Sequence, residues 1–187
     1  SLNVAQNTLL KQLMCLNNSI VSLDVTKLRM LEELNCSNNQ ISQLNLNNTA
    51  LTLLNVSKNN LTSLDVTKCS ELVELDCSNN NLNKLYVLEL SKLITLDCSK
   101  NILAKLDLSR CMALIDLNCS DNALTGLNII FVQNLQTLDC SNNNLLMLDI
   151  SNNQALVSLK CTDNINLAKL WVKNDSQVNT VSIIKDD

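Results

Sequence analysis

Proline and histidine are missing from the 187-residue sequence, glycine occurs once, at Gly126, and Phe, Tyr and Trp occur once each. Each absence excludes something. With no Pro and one Gly, the usual punctuation of a compact, loop-rich globule is lacking, and no glycine-rich phosphate loop can be built. Without His, the side chain most often recruited for general acid–base work at neutral pH is gone. No apolar run approaches the length of a membrane span, the longest being short segments such as Ile129-Ile130-Phe131-Val132. The formal charge of −4 is dispersed along the chain, with no basic stripe to follow a phosphate backbone, so nucleic acid is not an expected partner. The opening Ser1-Leu2-Asn3 has neither the charged nor the apolar part of a secretory leader. What remains is 46% hydrophobic and only 2% aromatic, which implies a folded chain with an aliphatic interior.

That interior is written by repetition. The stretch Leu72-Val73-Glu74-Leu75-Asp76-Cys77-Ser78-Asn79-Asn80-Asn81-Leu82 returns in near copies every 21 residues, giving eight units that open at Leu10, Leu31, Leu51, Leu72, Leu93, Leu114, Leu135 and Leu156. The unit reads Leu-x-x-Leu-x-Cys-x-x-Asn-x-Leu-x-x-Leu-Asp-Val and then five variable residues. Its two triplets, Leu-x-Cys and Leu-Asp-Val, alternate apolar and polar residues as short half-buried strands do. No unit has room for a long helix. The expected architecture is a solenoid of about eight 21-residue coils with short parallel strands on two sides and little helix, roughly 40 Å along its axis at strand spacing. The second unit is one residue short around Asn47-Asn48-Thr49 and the last one longer around Asn164-Ile165-Asn166, both at corners. Residues 1–9 match the second half of a unit, so the array, residues 1–172, begins in mid-repeat. An extension toward the N-terminus is expected, because a bare solenoid end exposes core and sheet edge. The pattern stops at Lys173, and residues 173–187 read as a C-terminal cap, with Val178, Val181, Ile183 and Ile184 folding over the last coil.

The motif resembles a leucine-rich repeat, Leu-x-x-Leu-x-Leu-x-x-Asn/Cys-x-Leu. More narrowly, nested halves such as Leu75-Asp76-Cys77-Ser78-Asn79-Asn80 and Leu64-Asp65-Val66 are similar to the 21-residue bacterial class called IRREKO repeats. The resemblance covers about nine-tenths of the chain by the repeat criterion. It implies a right-handed leucine-rich-repeat coil and a secreted or cell-surface adhesion or recognition protein of the kind found in Gram-negative bacteria, often beside immunoglobulin-like modules. It transfers no fixed set of binding residues. Val56 stands where the recurrent Cys is expected, and Tyr86 and Trp171 replace the Asp of the second strand.

Two columns of residues point inward. Cys15, Cys36, Cys77, Cys98, Cys119, Cys140 and Cys161 share one position, where stacking puts them in a line at about 4.8 Å per coil rather than in a metal-ligating cluster. They read as small hydrophobes in a narrow interior. Adjacent rungs have parallel side-chain vectors that disfavour a disulfide dihedral, and Cys69 and Cys111, two coils or roughly 10 Å apart, are too distant to bridge. Free thiols are expected. Asn18, Asn39, Asn59, Asn80, Asn101, Asn122, Asn143 and Asn164 form the second column, whose amides are suited to satisfy backbone groups left open at a corner.

Function is sought among the outward positions. Glu74, Asp76, Asp97, Asp116 and Asp139 make an acidic stripe on the first strands, a candidate for a basic partner or a cation such as calcium, against the plainer reading of a solvated face. Asp24, Asp65, Asp107 and Asp149 repeat on the second strands in a way that suggests hydrogen bonding at a corner. The second ladder breaks its rule at Tyr86 and Leu88, then at Ile130 and Phe131 two coils later, then at Trp171 after two more. These five are candidates for an exposed contact patch; the alternative is that a corner or the tail covers them. Catalysis lacks a His, an activated Cys and a dedicated cleft. The sequence therefore points to a non-enzymatic module without cofactor or metal, presenting a face to a protein or glycan. A structural spacer, a self-associating stalk and the repeat part of a larger enzyme or effector are the rival readings.

Overall fold

The computed structural model describes residues 1–48 and 50–172, together with the backbone of Ser182–Ile184. Every coil contributes one three-residue strand to a continuous parallel sheet: β1 (Gln12–Met14), β2 (Glu33–Asn35), β3 (Leu53–Asn55), β5 (Glu74–Asp76), β7 (Thr95–Asp97), β8 (Asp116–Asn118), β9 (Thr137–Asp139) and β11 (Ser158–Lys160), with β13 (Ser182–Ile184) beside β11. The register steps by one unit, as in Leu75 opposite Leu96 and Leu96 opposite Leu117. It steps by 20 residues from Leu34 to Leu54 and by 22 from Leu148 to Leu170, so the short and long units lose and gain their residue at corners and leave the strands in line. Of the expected cap, the backbone of Ser182–Ile184 continues the sheet as a further strand; Val178 and Val181 lie outside the described residues, as do the side chains of Ile183 and Ile184.

The second side also carries strands, but in separate pairs. β4 (Ser63–Asp65) pairs with β6 (Lys84–Tyr86), and β10 (Met147–Asp149) with β12 (Lys169–Trp171); near the N-terminus there is a single bridge between Leu2 and Leu23. Among the described residues there is no helix, and none that would cross a membrane.

Both sides bury the middle residue of their triplets, except toward the ends, where Leu13 and Leu170 are half-buried. Leu34, Leu54, Leu75, Leu96, Leu117, Leu138 and Leu159 stack behind the first sheet, and Leu64, Leu85, Leu106, Leu127 and Leu148 behind the second, with the cysteine column between coils. Each such leucine contributes about 1.5–3 kcal/mol on burial. The array needs no proline or glycine because its sharpest corner is made by other means. The residue before each ladder asparagine is left-handed, with φ from 51° at Asn142 to 58° at Asn17. Six of these eight are Asn or Asp, the non-glycine types best suited to that region; Lys58 and Lys100 are the exceptions.

Candidate functional site

The asparagine column is consumed by the fold. Asn101 is typical: its Nδ2 donates to the carbonyls of Cys77 in the preceding coil (3.1 Å) and Cys98 in its own (3.0 Å), while its Oδ1 accepts from the N–H of Leu82 (2.9 Å). The same set recurs at Asn39, Asn59, Asn80, Asn122, Asn143 and Asn164. Asn18 has no described coil before it to hold, and its amide donates to Cys15 and Leu16 of its own coil. Asn48 and Asn153 add an unexpected internal pair on the far corner, donating to Val25 and Leu28 and to Ile129 and Val132. The signal for them was a polar residue in a column otherwise held by Leu28, Cys69, Leu90, Cys111 and Val132.

The cysteines are reduced and buried, Cys69 and Cys111 included. Burial raises their thiols above the usual range: Cys36 to about 12, Cys69 and Cys111 to about 11, and Cys77, Cys98, Cys119 and Cys140 in the same direction. A protonated interior thiol is a poor nucleophile and a poor metal ligand.

Much of the acidic stripe is also committed to structure. Asp76 Oδ1 accepts from both the N–H and the hydroxyl of Ser78 (3.0 and 2.7 Å), and Asp139 does the same with Ser141. Asp97 accepts from the N–H of Ser99 and, through its other oxygen, from Asn118. Asp116 accepts from the Thr137 hydroxyl, and Lys160 lies 3.4 Å from Asp139. Ser78, Ser99 and Ser141, the partners in these turns, are buried. Asp97, Asp116 and Asp139 line a shallow depression of about 400 Å³ on the sheet with Thr95, Asn118 and Lys160; Glu74 and Asp76 lie beside it on the neighbouring strand. Among the described residues no group of three or more acidic, Cys or His side chains is placed to hold a metal ion.

The second side is different in kind. Tyr86, Leu88, Ile130, Phe131 and Trp171 all stand in solvent, Tyr86 43% exposed, Phe131 51% and Trp171 48%. Tyr86 and Leu88 line a depression of about 450 Å³ with Lys84, Lys105 and Asp107. Ile130 and Phe131 line a larger groove of about 640 Å³ that shares Lys105 and Asp107 and adds Gly126, Met147 and Asp149. Trp171 lies opposite Asp149 in the β10–β12 register, at the groove's far wall. The structure thus brings four of the five candidates around two adjoining depressions and sets the fifth next to them. Lys105, Gly126 and Met147 were missed; the lone glycine at an outward strand position was the available signal.

Small local rules position these groups. Asp24, Asp65, Asp107 and Asp149 accept from the N–H two residues on, at Thr26, Thr67, Ser109 and Ser151. The Thr26 hydroxyl first, the Ser109 N–H first and the Ser151 hydroxyl first hold Asp24, Asp107 and Asp149 below the usual carboxylate range. Where Tyr86 replaces that Asp the corner is rebuilt, with Glu89 left-handed at φ 72° and Leu88 turned out to solvent.

No protein-family model matches the chain, and no curated protein matches it. Solved structures do. A functional domain of InlJ from Listeria monocytogenes, described as including a cysteine ladder, is 32% identical over 92% of this chain and 46% of its own, with a TM-score of 0.66. The leucine-rich effector YopM from Yersinia pestis is 24% identical over 90% of this chain and 50% of its own, TM-score 0.75. An internalin C2 from Listeria monocytogenes is 17% identical over 94% and 80%, TM-score 0.75. The chain spans about half the length of the first two.

Proposed function

We propose that the chain, a leucine-rich repeat solenoid with bacterial leucine-rich repeat proteins as its structural neighbours, is a non-catalytic recognition module that presents its repeat face to a protein or glycan at the bacterial surface. One observation carries this reading. On the second side Tyr86, Leu88, Ile130 and Phe131 are exposed around two grooves, with Trp171 exposed on the strand beside them, in a molecule whose other repeated polar groups are largely spent on its own backbone. Solvent-exposed aromatic and aliphatic groups set among a few charges are the composition of a contact surface. The interior thiols, protonated and shielded, supply no nucleophile, and that supports a binding role over a catalytic one.

The test is a Tyr86, Ile130 and Trp171 triple alanine variant, compared with wild type in pull-down and glycan-array screening and in light scattering at several concentrations. All three side chains are exposed, so the variant is expected to fold. Loss of the recovered partner supports the reading, and unchanged binding of every partner overturns it. Concentration-dependent dimers that disappear in the variant assign the patch to self-association instead.

A further inference from the structure

Among the described residues the ladder on the second side is unpaired at residues 43–45 and again at 105–107 and 126–128, a gap where the larger groove lies. β4 pairs with β6 and β10 with β12, but among the described residues no backbone hydrogen bond joins residues 105–107 or 126–128 to a neighbouring coil. Peptide groups left open in this way need a partner, either water or a ligand. Gly126 sits in the gap, and a β-carbon added to it would meet no atom within 4 Å. The space is therefore unfilled by the protein itself, without any left-handed backbone to demand a glycine. Beside the open peptides stand Ile130, Phe131 and Met147, and the carboxylates of Asp107 and Asp149 line the same groove against one ammonium, Lys105.

Resting on the recognition reading, we propose that this groove binds an extended segment of a partner protein. The partner's backbone hydrogen-bonds along residues 105–107 and 126–128, an apolar side chain seats against Ile130, Phe131 and Met147, and a Lys or Arg lies between Asp107 and Asp149. An extended peptide supplies all three complements at once: alternating donors and acceptors, an apolar side chain and a cation. A neutral sugar can donate hydroxyls to the open peptides and to the carboxylates and can stack on Phe131, but it carries no cation to answer two carboxylates set against a single ammonium. Both aspartates are exposed and each accepts a hydrogen bond from the serine two residues on, so they are fixed in place and charged before the ligand arrives.

The experiment pans a random peptide library on the full chain and measures the enriched peptides by fluorescence polarisation. Gly126→Trp fills the groove from a position with room for it, and its melting temperature should match wild type. Asp107→Asn with Asp149→Asn removes charge while keeping an oxygen to accept from Ser109 and Ser151. The expected result is peptides carrying an apolar and a basic residue, weakened about tenfold or more by Gly126→Trp, weakened less by the double Asn variant, and less salt-sensitive in it. Amide exchange at Leu106, Asp107, Leu127 and Asn128 should slow in the complex. Failure to enrich any peptide, or peptides indifferent to Gly126→Trp, overturns the proposal. A glycan whose binding Gly126→Trp abolishes, or a dimer that it dissociates, gives the groove another occupant and also overturns it. If the triple alanine variant still loses its partner in those cases, the recognition reading stands alone; if it does not, both fall.

Discussion

The two sides of the solenoid come from the same 21-residue unit, yet one is a nine-stranded sheet and the other a set of two-stranded fragments. On the first side, seven strands from β2 to β11 are each followed by a corner with a left-handed residue and then an asparagine that reaches back into the preceding coil. The second ends in an Asp bonded only to its own corner, as Asp65 is to Thr67, and where Tyr86 or Trp171 stands even that is replaced. Coil-to-coil side-chain bonds lock the first ladder. The second side has fewer of them, chiefly from Asn48 and Asn153 at the far corner, and its ladder breaks in places, opens a groove and is free to vary.

Alkali should have the largest effect, and it strikes the column packed along the first side. Cys36, Cys77, Cys98, Cys119 and Cys140 all have folded thiols raised above their ordinary value by burial. A raised folded pKa stabilises fully below the unfolded value, near 9, and that contribution is lost as pH climbs toward the folded one, because only the unfolded chain releases its protons. Each such thiol costs roughly 1.4 kcal/mol per pH unit in that window. Five together reach about 14 kcal/mol over about two units, comparable with a whole domain's stability of about 5–15 kcal/mol. Circular dichroism against pH should show cooperative unfolding between about pH 9 and 11. Cys98→Val should move the midpoint upward, since Val56 already occupies that column fully buried; an unchanged midpoint would remove the thiols from the explanation.

Next in size is the asparagine column against its counterpart corner. Asn101→Ala leaves the N–H of Leu82 without its partner in the interior, at about 1–3 kcal/mol, while the carbonyls of Cys77 and Cys98 each lose one of two side-chain bonds and keep those from Asn80 and Asn122, at about 0.5–1.5 kcal/mol each. Urea unfolding should lose about 2–4 kcal/mol. Thr67→Ala removes an exposed hydroxyl bonded to Asp65, and should cost under about 1 kcal/mol. Equal losses would mean that the two corners are equally locked, contrary to the comparison. Between these two, Cys98→Ser sets a hydroxyl among buried apolar groups, and should cost about 1–3 kcal/mol, where Cys98→Val changes little.

The repeat, the strands, the two inward columns and both corner length changes were legible because each is a periodicity, and a period of 21 repeated eight times leaves little freedom. What the sequence concealed was the use made of polar residues. The row Asp76, Asp97 and Asp139 looks like an outward charge, but the serine two places on, itself buried, ties each one to a turn. Nor does the pattern reveal that the second ladder breaks at residues 105–107 and 126–128, because Leu106 and Leu127 keep the inward position perfectly well. Pairing depends on how closely coils approach, and side-chain alternation reports only which way a residue faces. Tyr86, Ile130, Phe131 and Trp171 were visible as departures from a rule, which is why they, and not the acidic stripe, led to the groove.

The smallest expected effect separates the two corners by their backbone. Lys100 is left-handed on the first side, at φ 54°, and Glu89 on the second, at φ 72°, and neither type suits that region. Lys100→Asn should stabilise by about 0.5–1 kcal/mol, since seven other coils carry the same conformation and Asn relieves its strain. Glu89→Gly removes the same strain but also frees the unfolded chain, so its net gain should be smaller, about 0.5 kcal/mol or less. The decisive measurement is the double-mutant cycle with Asn101→Ala. If the asparagine is what holds Lys100 left-handed, the gain from Lys100→Asn shrinks once Asn101 is removed, because the corner then relaxes on its own. Strict additivity at Lys100, together with a Glu89→Gly gain as large as that of Lys100→Asn, would show that the corner dictates the backbone on both sides alike and that the asparagine only decorates it.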